Sequence, residues 1–283
     1  MNIQWYPGHM TKAVRMMEEN LKCIDLVIEL LDARIPMSSR NPDIDRMAKG
    51  KFRLVVLSKS DLAEDAGNKA WLEYFERKGL PCVLYNSKSK NGVKELLNKV
   101  KDVCKDKIER DRRRGIINRS IKSMVVGIPN VGKSTFVNNI VGKNAAVVGN
   151  KPGVTKGKQW IHVSKELDLL DTPGILWPKF EDEQIGIHIG FIGSVNDEIL
   201  LKEELALHLI DELLTKDPGI LKERFGEWEE GLDAPKILEH IAIVRKCIQK
   251  KEEPDLKKAA DLLLEEFRSG KLGRITLEIP REE

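Results

Sequence analysis

Apolar runs alternate with helical spacings over roughly the first 180 residues of the chain. Apolar residues at every third or fourth position predict helices over residues 10–22, 67–78 and 92–110, and a short helix after Asn41-Pro42. Mostly apolar runs predict strands over residues 25–32, 53–57, 82–85, 124–126, 158–163 and 167–170, the last two as a hairpin. Strands that alternate with helices imply a mostly parallel sheet with right-handed crossovers, which is an α/β fold.

The pattern changes beyond Trp177-Pro178. Helical spacing then dominates, with predicted helices near residues 198–216, 235–250 and 254–269, and the next strand-like run is residues 275–277. We therefore predict two domains, an α/β domain over residues 1–177 and an all-α domain over residues 178–283. A length of 283 residues is compatible with two domains.

A phosphate-binding motif lies between a predicted strand and a predicted helix. Residues 127–134 read G-x-x-x-x-G-K-S, the P-loop pattern, and the flanking elements favour it over a chance match. Its backbone N–H groups can face the phosphates, Lys133 can reach the β- and γ-phosphates, and Ser134 can ligate Mg²⁺. The residues predicted to contact the nucleotide here are Asn130, Val131, Gly132, Lys133, Ser134 and Thr135.

Two further loops can complete the phosphate and Mg²⁺ site. Asp171 follows an apolar strand and can bind Mg²⁺ through water, while the Gly174 N–H can contact the γ-phosphate. Thr155 lies in a turn-rich loop, and its hydroxyl can reach Mg²⁺ and the γ-phosphate when that loop closes. Loss of the γ-phosphate would break these contacts. The loops would then act as a nucleotide-dependent switch.

The loops after the second and third strands predict guanine specificity. Ser58-Lys59-Ser60-Asp61 resembles the N-K-x-D motif, in which the carboxylate accepts the guanine N1–H and N2–H₂ groups and the lysine stem covers the base. Asn86-Ser87-Lys88 resembles S-A-K, whose backbone N–H groups face guanine O6. An exposed polar turn is the alternative for each motif alone. Ser58 is shorter than asparagine, so we expect a weaker bridge to the P-loop and reduced guanine affinity.

The motifs occur in an unusual order. Both base-reading loops precede the P-loop, and the Thr155 and Asp171 loops follow it, whereas ordinary small GTPases have the P-loop first. The chain therefore reads as a circularly permuted GTPase, an arrangement that closely spaced domain termini permit. In this order the loop at Gly174 leads directly into the helical domain.

Three segments and this order together resemble the bacterial ribosome biogenesis GTPase A family. The segments are Trp5-Tyr6-Pro7-Gly8-His9-Met10, Leu31-Asp32-Ala33-Arg34-Ile35-Pro36 and Arg40-Asn41-Pro42. The resemblance covers essentially the whole chain. It implies a cytoplasmic GTPase, using GTP, GDP and Mg²⁺, that assists late maturation of the large (50S) ribosomal subunit. It also implies that the helical domain binds rRNA.

The catalytic residues are harder to assign from sequence because Ile175 stands where many GTPases have a water-orienting glutamine. With the family as a guide, we expect His9 to orient the attacking water and Lys133, Thr155 and Gly174 to complete the catalytic set. The alternative for His9 is a structural role beside Trp5 or Tyr6. The resemblance also suggests that Asn130 ligates K⁺, and the alternative is a turn-stabilising asparagine.

Charge and composition narrow the possible partners. Residues 1–177 contain 32 Lys and Arg against 20 Asp and Glu, and residues 178–283 contain 16 against 25. A basic nucleotide-binding half suits a polyanion such as RNA, although the two halves could also attract each other. The chain has neither a long apolar run nor a secretory leader, so we expect a soluble, cytoplasmic protein without a membrane partner. We also expect a monomer. The four scattered cysteines read as buried free thiols.

Rival functions remain open at this point. One is a P-loop enzyme of small-molecule metabolism such as a kinase, which would leave the base-reading loops unexplained. Another is a non-catalytic RNA-binding module with GTP as a structural ligand. A third is a GTP-dependent regulator or enzyme of another RNA process, such as tRNA modification. The leading prediction is a ribosome-assembly GTPase.

Overall fold

The computed structural model describes residues 8–89, 92–116, 119–142, 159–177, 180, 182–195, 201–249 and 252–280. The described strands are β1 (Leu26–Asp32), β2 (Phe52–Ser58), β3 (Cys82–Tyr85), β4 (Ile121–Val126), β5 (Gln159–Ser164) and β6 (Leu167–Asp171). The helices of the first half are α1 (Gly8–Leu21), α2 (Asp43–Met47), α3 (Asp65–Arg77), α4 (Gly92–Val103), α5 (Lys105–Arg113) and α6 (Lys133–Val141). The second half contains α7 (Glu183–Phe191), α8 (Lys202–Lys216), α9 (Gly219–Phe225), α10 (Ala234–Val244) and α11 (Leu256–Ser269).

One six-stranded sheet organises the first half, with the strand order β3-β2-β1-β4-β6-β5. All neighbours are parallel except β5, which forms the predicted antiparallel hairpin with β6. Every residue of β1 is buried, as expected for a strand paired on both sides and covered by helices. Because the strands are parallel, the loops after β1, β2, β3, β4 and β6 leave the same edge of the sheet.

The helical half packs against the sheet half over a continuous apolar core. One cluster of buried side chains includes Leu26 of β1, Phe136 of α6, Leu209 of α8 and Leu263 of α11. The predicted division into two domains at residue 177 therefore separates two parts of the sequence that share one apolar core. It stays a prediction. None of the helices in the described part of the chain combines the length and apolar character that a membrane span requires.

Several predicted elements need correction. The single helix predicted over residues 92–110 is two, because the backbone of Cys104 leaves helical geometry at φ −96° and ψ 11° between α4 and α5. The sequence pattern did not predict helices α7 and α9. Because α7 is buried over most of its length, its apolar residues are not spaced at helical intervals by polar ones. Residues 275–277 do not form a regular strand. The cysteines are free as predicted, but Cys23 is exposed.

Candidate active site

The P-loop joins β4 to α6 at the shared edge of the sheet. Gly132 precedes the helix with φ +98°, a left-handed conformation that favours glycine. Lys133 begins α6 with its side chain buried, and its Nζ donates to the Ile128 carbonyl over 2.7 Å. The lysine is thus folded back onto the P-loop itself, where phosphate oxygens could replace this carbonyl as the acceptor.

Burial shifts the protonation of the two charged groups beneath the P-loop. Burial lowers the pKa of Lys133 to about 8, against the opposing effect of the Asp171 carboxylate. Burial likewise raises the pKa of Asp171, and Lys133 opposes that shift. Anionic phosphates would therefore stabilise the charged form of Lys133, and a divalent cation would stabilise the charged form of Asp171.

Ser58 and Lys59 connect the first base-reading loop to the P-loop. The Ser58 hydroxyl lies 2.7 Å from the Val131 carbonyl and 2.8 Å from the Leu31 carbonyl. The expectation of a weak bridge is therefore wrong, because β2 brings residue 58 close enough for the shorter side chain to reach. Lys59, at φ +54°, donates through Nζ to the Asn130 carbonyl over 2.8 Å.

Asp61 lies beside the second base-reading loop. Its carboxylate is 3.0 Å from Lys88 Nζ, and 21 % of the side chain is exposed. Asn86 Oδ1 accepts the Lys88 backbone N–H and closes a turn over 2.8 Å. The Ser87 carbonyl accepts a 2.7 Å hydrogen bond from Asn139 of α6. Both base-reading loops are thereby joined to each other and to the P-loop helix.

Asp32, at the end of β1, is a site residue to which the sequence analysis assigned no role. Its buried carboxylate accepts Arg34 Nε and Nη2 and Lys59 Nζ at 2.9–3.0 Å. Burial alone would raise the pKa of Asp32, but Arg34 and Lys59 outweigh burial and place the pKa far below its ordinary value. A charged residue ending a fully buried strand was the signal that could have identified it.

The loop after β6 closes against the P-loop. The Thr172 hydroxyl donates to the Val125 carbonyl over 2.6 Å, and the Ile175 N–H donates to the Gly127 carbonyl over 3.2 Å. A Cβ on Gly174 would lie 2.7 Å from Pro129 backbone atoms, so only glycine fits this approach. The Ile175 side chain is buried in an apolar cluster with residues of α1, which excludes it from contact with an attacking water.

The turn after α7 contacts the P-loop from the helical half. Asn130 Nδ2 donates to the Gly193 carbonyl, and the Ser194 hydroxyl donates to the Pro129 carbonyl, each over 2.5 Å. Arg268 of α11 supports the same turn by donating to the Phe191 and Gly190 carbonyls at 2.8 Å. These contacts are not predictable from the sequence, because no motif marks a turn that binds a loop 63 residues earlier in the chain.

The structure brings most of the predicted site residues together at one edge of the sheet. The residues that lie there are Ser58, Lys59, Asp61, Asn86, Ser87, Lys88, Asn130, Val131, Gly132, Lys133, Ser134, Thr135, Asp171 and Gly174. Two others cannot be located in this way. Thr155 lies outside the described residues, and so does the side chain of His9, although His9 belongs to the first turn of α1.

Comparison with known proteins identifies the family. A family profile described as 50S ribosome-binding GTPase matches residues 122–246, beginning at the P-loop strand. Ribosome biogenesis GTPase A of Bacillus cereus is 45 % identical over 282 residues, which span this whole chain and 95 % of that protein. The chain belongs to the ribosome biogenesis GTPase A family. The Bacillus licheniformis protein of the same name is 41 % identical, with full coverage of both chains.

Solved structures agree with this membership of the ribosome biogenesis GTPase A family. A GNP-bound YlqF structure from T. maritima is 25 % identical, with a TM-score of 0.68 and coverage of 96 % of this chain and all of that one. The predicted permuted GTPase fold, guanine nucleotide binding, GTP hydrolysis and role in ribosome biogenesis are therefore confirmed. The metal ions and the individual residue roles stay predictions.

Proposed function

We propose that this GTPase assists late maturation of the large (50S) ribosomal subunit, binding the precursor particle and its rRNA in a GTP-dependent way. The observation that carries the proposal is the contact of the helical half with the P-loop through Gly193 and Ser194. A nucleotide that reshapes the P-loop must alter this contact. The helical half, residues 178–283, then reports the nucleotide state to the rRNA that it binds.

The residues around Asp171 fit a Mg²⁺ ion. Asp171 Oδ1 is buried without a hydrogen-bond partner among the described residues, and a carboxylate oxygen is a preferred Mg²⁺ ligand. Ser134, on the first turn of α6, and Thr155 would contribute hydroxyl oxygens. When bound, the ion neutralises negative charge that develops on the phosphates.

Hydrolysis then needs phosphate neutralisation and a positioned water. Lys133 would move from the Ile128 carbonyl to the β- and γ-phosphates, and the Gly174 N–H would donate to the γ-phosphate. Since Ile175 is buried, the attacking water is assigned to His9. Asn130, whose Nδ2 donates to the Gly193 carbonyl, is the residue that would ligate K⁺. The cation would offset phosphate charge as an arginine finger does.

Guanine selection is assigned to Asp61, with the Lys59 stem over the base and the Asn86–Lys88 turn at guanine O6. Lys88 faces the Asp61 carboxylate from that turn and would rim the base pocket. The Asp61→Asn variant should shift preference from GTP to xanthosine triphosphate, whose C2 oxygen accepts an amide donor. Unchanged GTP selectivity in a competition assay would remove Asp61 from this role.

The main test measures binding of the full chain to immature large subunits, with small subunits as the control particle. We expect tighter binding with a non-hydrolysable GTP analogue than with GDP, by about 5–150-fold. Turnover of GTP should rise when the immature particle is added. Equal affinity in both nucleotide states would contradict the proposal, and stimulation by another RNA alone would favour a different RNA process. We further propose that the protein acts as a cytoplasmic monomer.

A further inference from the structure

The stretch after α11 returns from the helical half to the first half of the molecule. We call residues 271–280 the strap. It follows Gly270, and its Leu272, Ile275 and Thr276 side chains are buried. No P-loop or base-reading motif maps to the strap, and the hydrolysis mechanism does not use it.

The strap binds the residues that directly follow the guanine-reading Asp61. The Ile275 N–H donates to the Leu62 carbonyl over 2.9 Å, and Arg274 Nε donates to the Ala63 carbonyl over 2.6 Å. The Glu64 N–H donates to the Thr276 hydroxyl over 3.0 Å. Three consecutive residues of the base-reading loop thus each have a hydrogen bond to the strap.

The fit between the strap and this loop is also close sterically. A Cβ on Gly67 of α3 would lie 2.5 Å from the Thr276 hydroxyl oxygen, and a Cβ on Gly270 would lie 2.5 Å from a Leu62 methyl carbon. The Thr276 side chain thus packs directly on the backbone of α3, and the Leu62 side chain packs on the backbone of Gly270, which precedes the strap. The strap therefore restricts where residues 62–64 can lie.

The far end of the strap is fixed independently of the base-reading loop. The Leu277 N–H donates to the Arg34 carbonyl over 2.9 Å, and Trp71 Nε1 donates to the Glu278 carbonyl over 2.8 Å. The Glu278 carboxylate accepts the Met37 N–H over 2.7 Å and lies 2.9 Å from His188 of α7. The strap is thus a rigid support tied to the loop after β1, to α3 and to the helical half.

Asp61 is supported from its other side by the sheet. The Ser60 N–H donates to the Tyr85 carbonyl at the end of β3, and its carbonyl accepts Asn68 Nδ2 over 2.9 Å. Asp61 therefore lies between two residues whose backbones are held by hydrogen bonds, residue 60 by the sheet and residue 62 by the strap. Removing either support would let the carboxylate rotate away from the plane of the base.

We propose that the strap is a specificity-determining element that aims the Asp61 carboxylate at the guanine edge, with Arg274 and Thr276 as its positioning residues. This rests on the proposed role of Asp61 in reading guanine. Two correctly directed hydrogen bonds from one carboxylate demand a narrow range of orientations. Loss of strap contacts should therefore weaken recognition of the base edge more than binding of the phosphates.

Comparing GDP with inosine diphosphate isolates the base edge. Inosine lacks the 2-amino group, so it forms one hydrogen bond fewer with Asp61 while its phosphates are the same. Dissociation constants for both nucleotides are measured on the full chain and on the Arg274→Met and Thr276→Val variants. Asp65→Asn is the matched control, because it removes the exposed Arg274–Asp65 ion pair and keeps the Arg274–Ala63 hydrogen bond.

We expect the GDP preference over inosine diphosphate to fall about fivefold or more in each strap variant, the low end of coupling between sites, and to stay unchanged in Asp65→Asn. Equal weakening of both nucleotides, or no weakening, would overturn the role of the strap. A wild-type protein that does not prefer GDP would instead refute guanine reading by Asp61. Since Arg274 lies at the surface, its variant gives a result even if Thr276→Val fails to fold.

Discussion

The buried cluster of Asp32, Arg34 and Lys59 gives the sharpest stability prediction. Asp32→Asn keeps the size of the side chain but removes the negative charge that two buried or partly buried cations share. An asparagine can still accept hydrogen bonds through its one oxygen. Its amide nitrogen, however, would point N–H groups at a cation. We therefore expect a large loss of folding free energy without a cavity.

The magnitude follows from the contacts. Asp32 accepts three hydrogen bonds from charged groups, two from Arg34 and one from Lys59, at 2.9–3.0 Å. The substituted side chain would lose about two of them, and each hydrogen bond to a charged group contributes about 1.5–3 kcal/mol. Removing one partner of a buried ion pair independently costs about 3–5 kcal/mol. We expect the free energy of unfolding to fall by about 3–5 kcal/mol.

Urea denaturation of the full chain at neutral pH, without nucleotide, measures this change. Asp45→Asn is the control, because the Asp45 side chain is half exposed where it pairs with Arg40 and Arg53, and its loss should cost less than about 1 kcal/mol. The pKa of folded Asp32 is below its ordinary value of 3.8, so its stabilisation exists above that pH and fades as the pH falls further. A loss no larger than that of Asp45→Asn would show that the Asp32 charge does not stabilise the buried cluster.

Three further predictions concern other groups. Burial lowers the pKa of His188, but Glu212 and Glu278 outweigh burial and raise it to about 9. Protonated His188 therefore stabilises the fold fully below the ordinary histidine pKa of 6.5, and this stabilisation is lost as the pH rises through about 9. In urea denaturation the free energy of unfolding should fall by about 3 kcal/mol over this range. The same pH profile in His188→Gln as in the wild type would contradict this. GTP turnover should be faster in K⁺ than in Na⁺ at equal ionic strength, and Asn130→Ala should abolish the difference; equal wild-type rates would exclude the K⁺ site. His9→Ala should keep GTP binding and lower particle-stimulated turnover by roughly 10²–10⁴, whereas normal turnover would assign the water to another group.

The sequence predicted the sheet and its loops well because both depend on local patterns. The run that ends at Asp32 is mostly apolar, as a strand buried on both faces must be, and β1 occupies those positions. The Gly127–Ser134 motif fixes its own geometry through glycine and the start of α6. Since parallel strands end at one edge of the sheet, the predicted fold alone implied that the loops after these strands lie close together.

Prediction failed where a residue's role depends on distant partners. Helix α7 is mostly apolar and buried, and no local pattern indicates that the turn after it at Gly193 contacts Asn130. The reach of the Ser58 hydroxyl depends on the spacing between β2 and the P-loop, to which it is hydrogen-bonded over 2.7 Å. Contacts of this kind arise from tertiary packing, which sequence periodicity does not encode.

The strap also has a consequence for the order in which the protein is made. Glu64 is synthesised 212 residues before Thr276, its hydrogen-bond partner in the finished molecule. During translation the first half can pair β1, β2 and β3 while the loop at Asp61 still lacks its second support. Contacts between such distant residues form late, because the intervening chain must first be built and ordered. A nascent chain should therefore bind phosphates before it can distinguish guanine, and base selectivity should be acquired only after residues 274–276 have been synthesised.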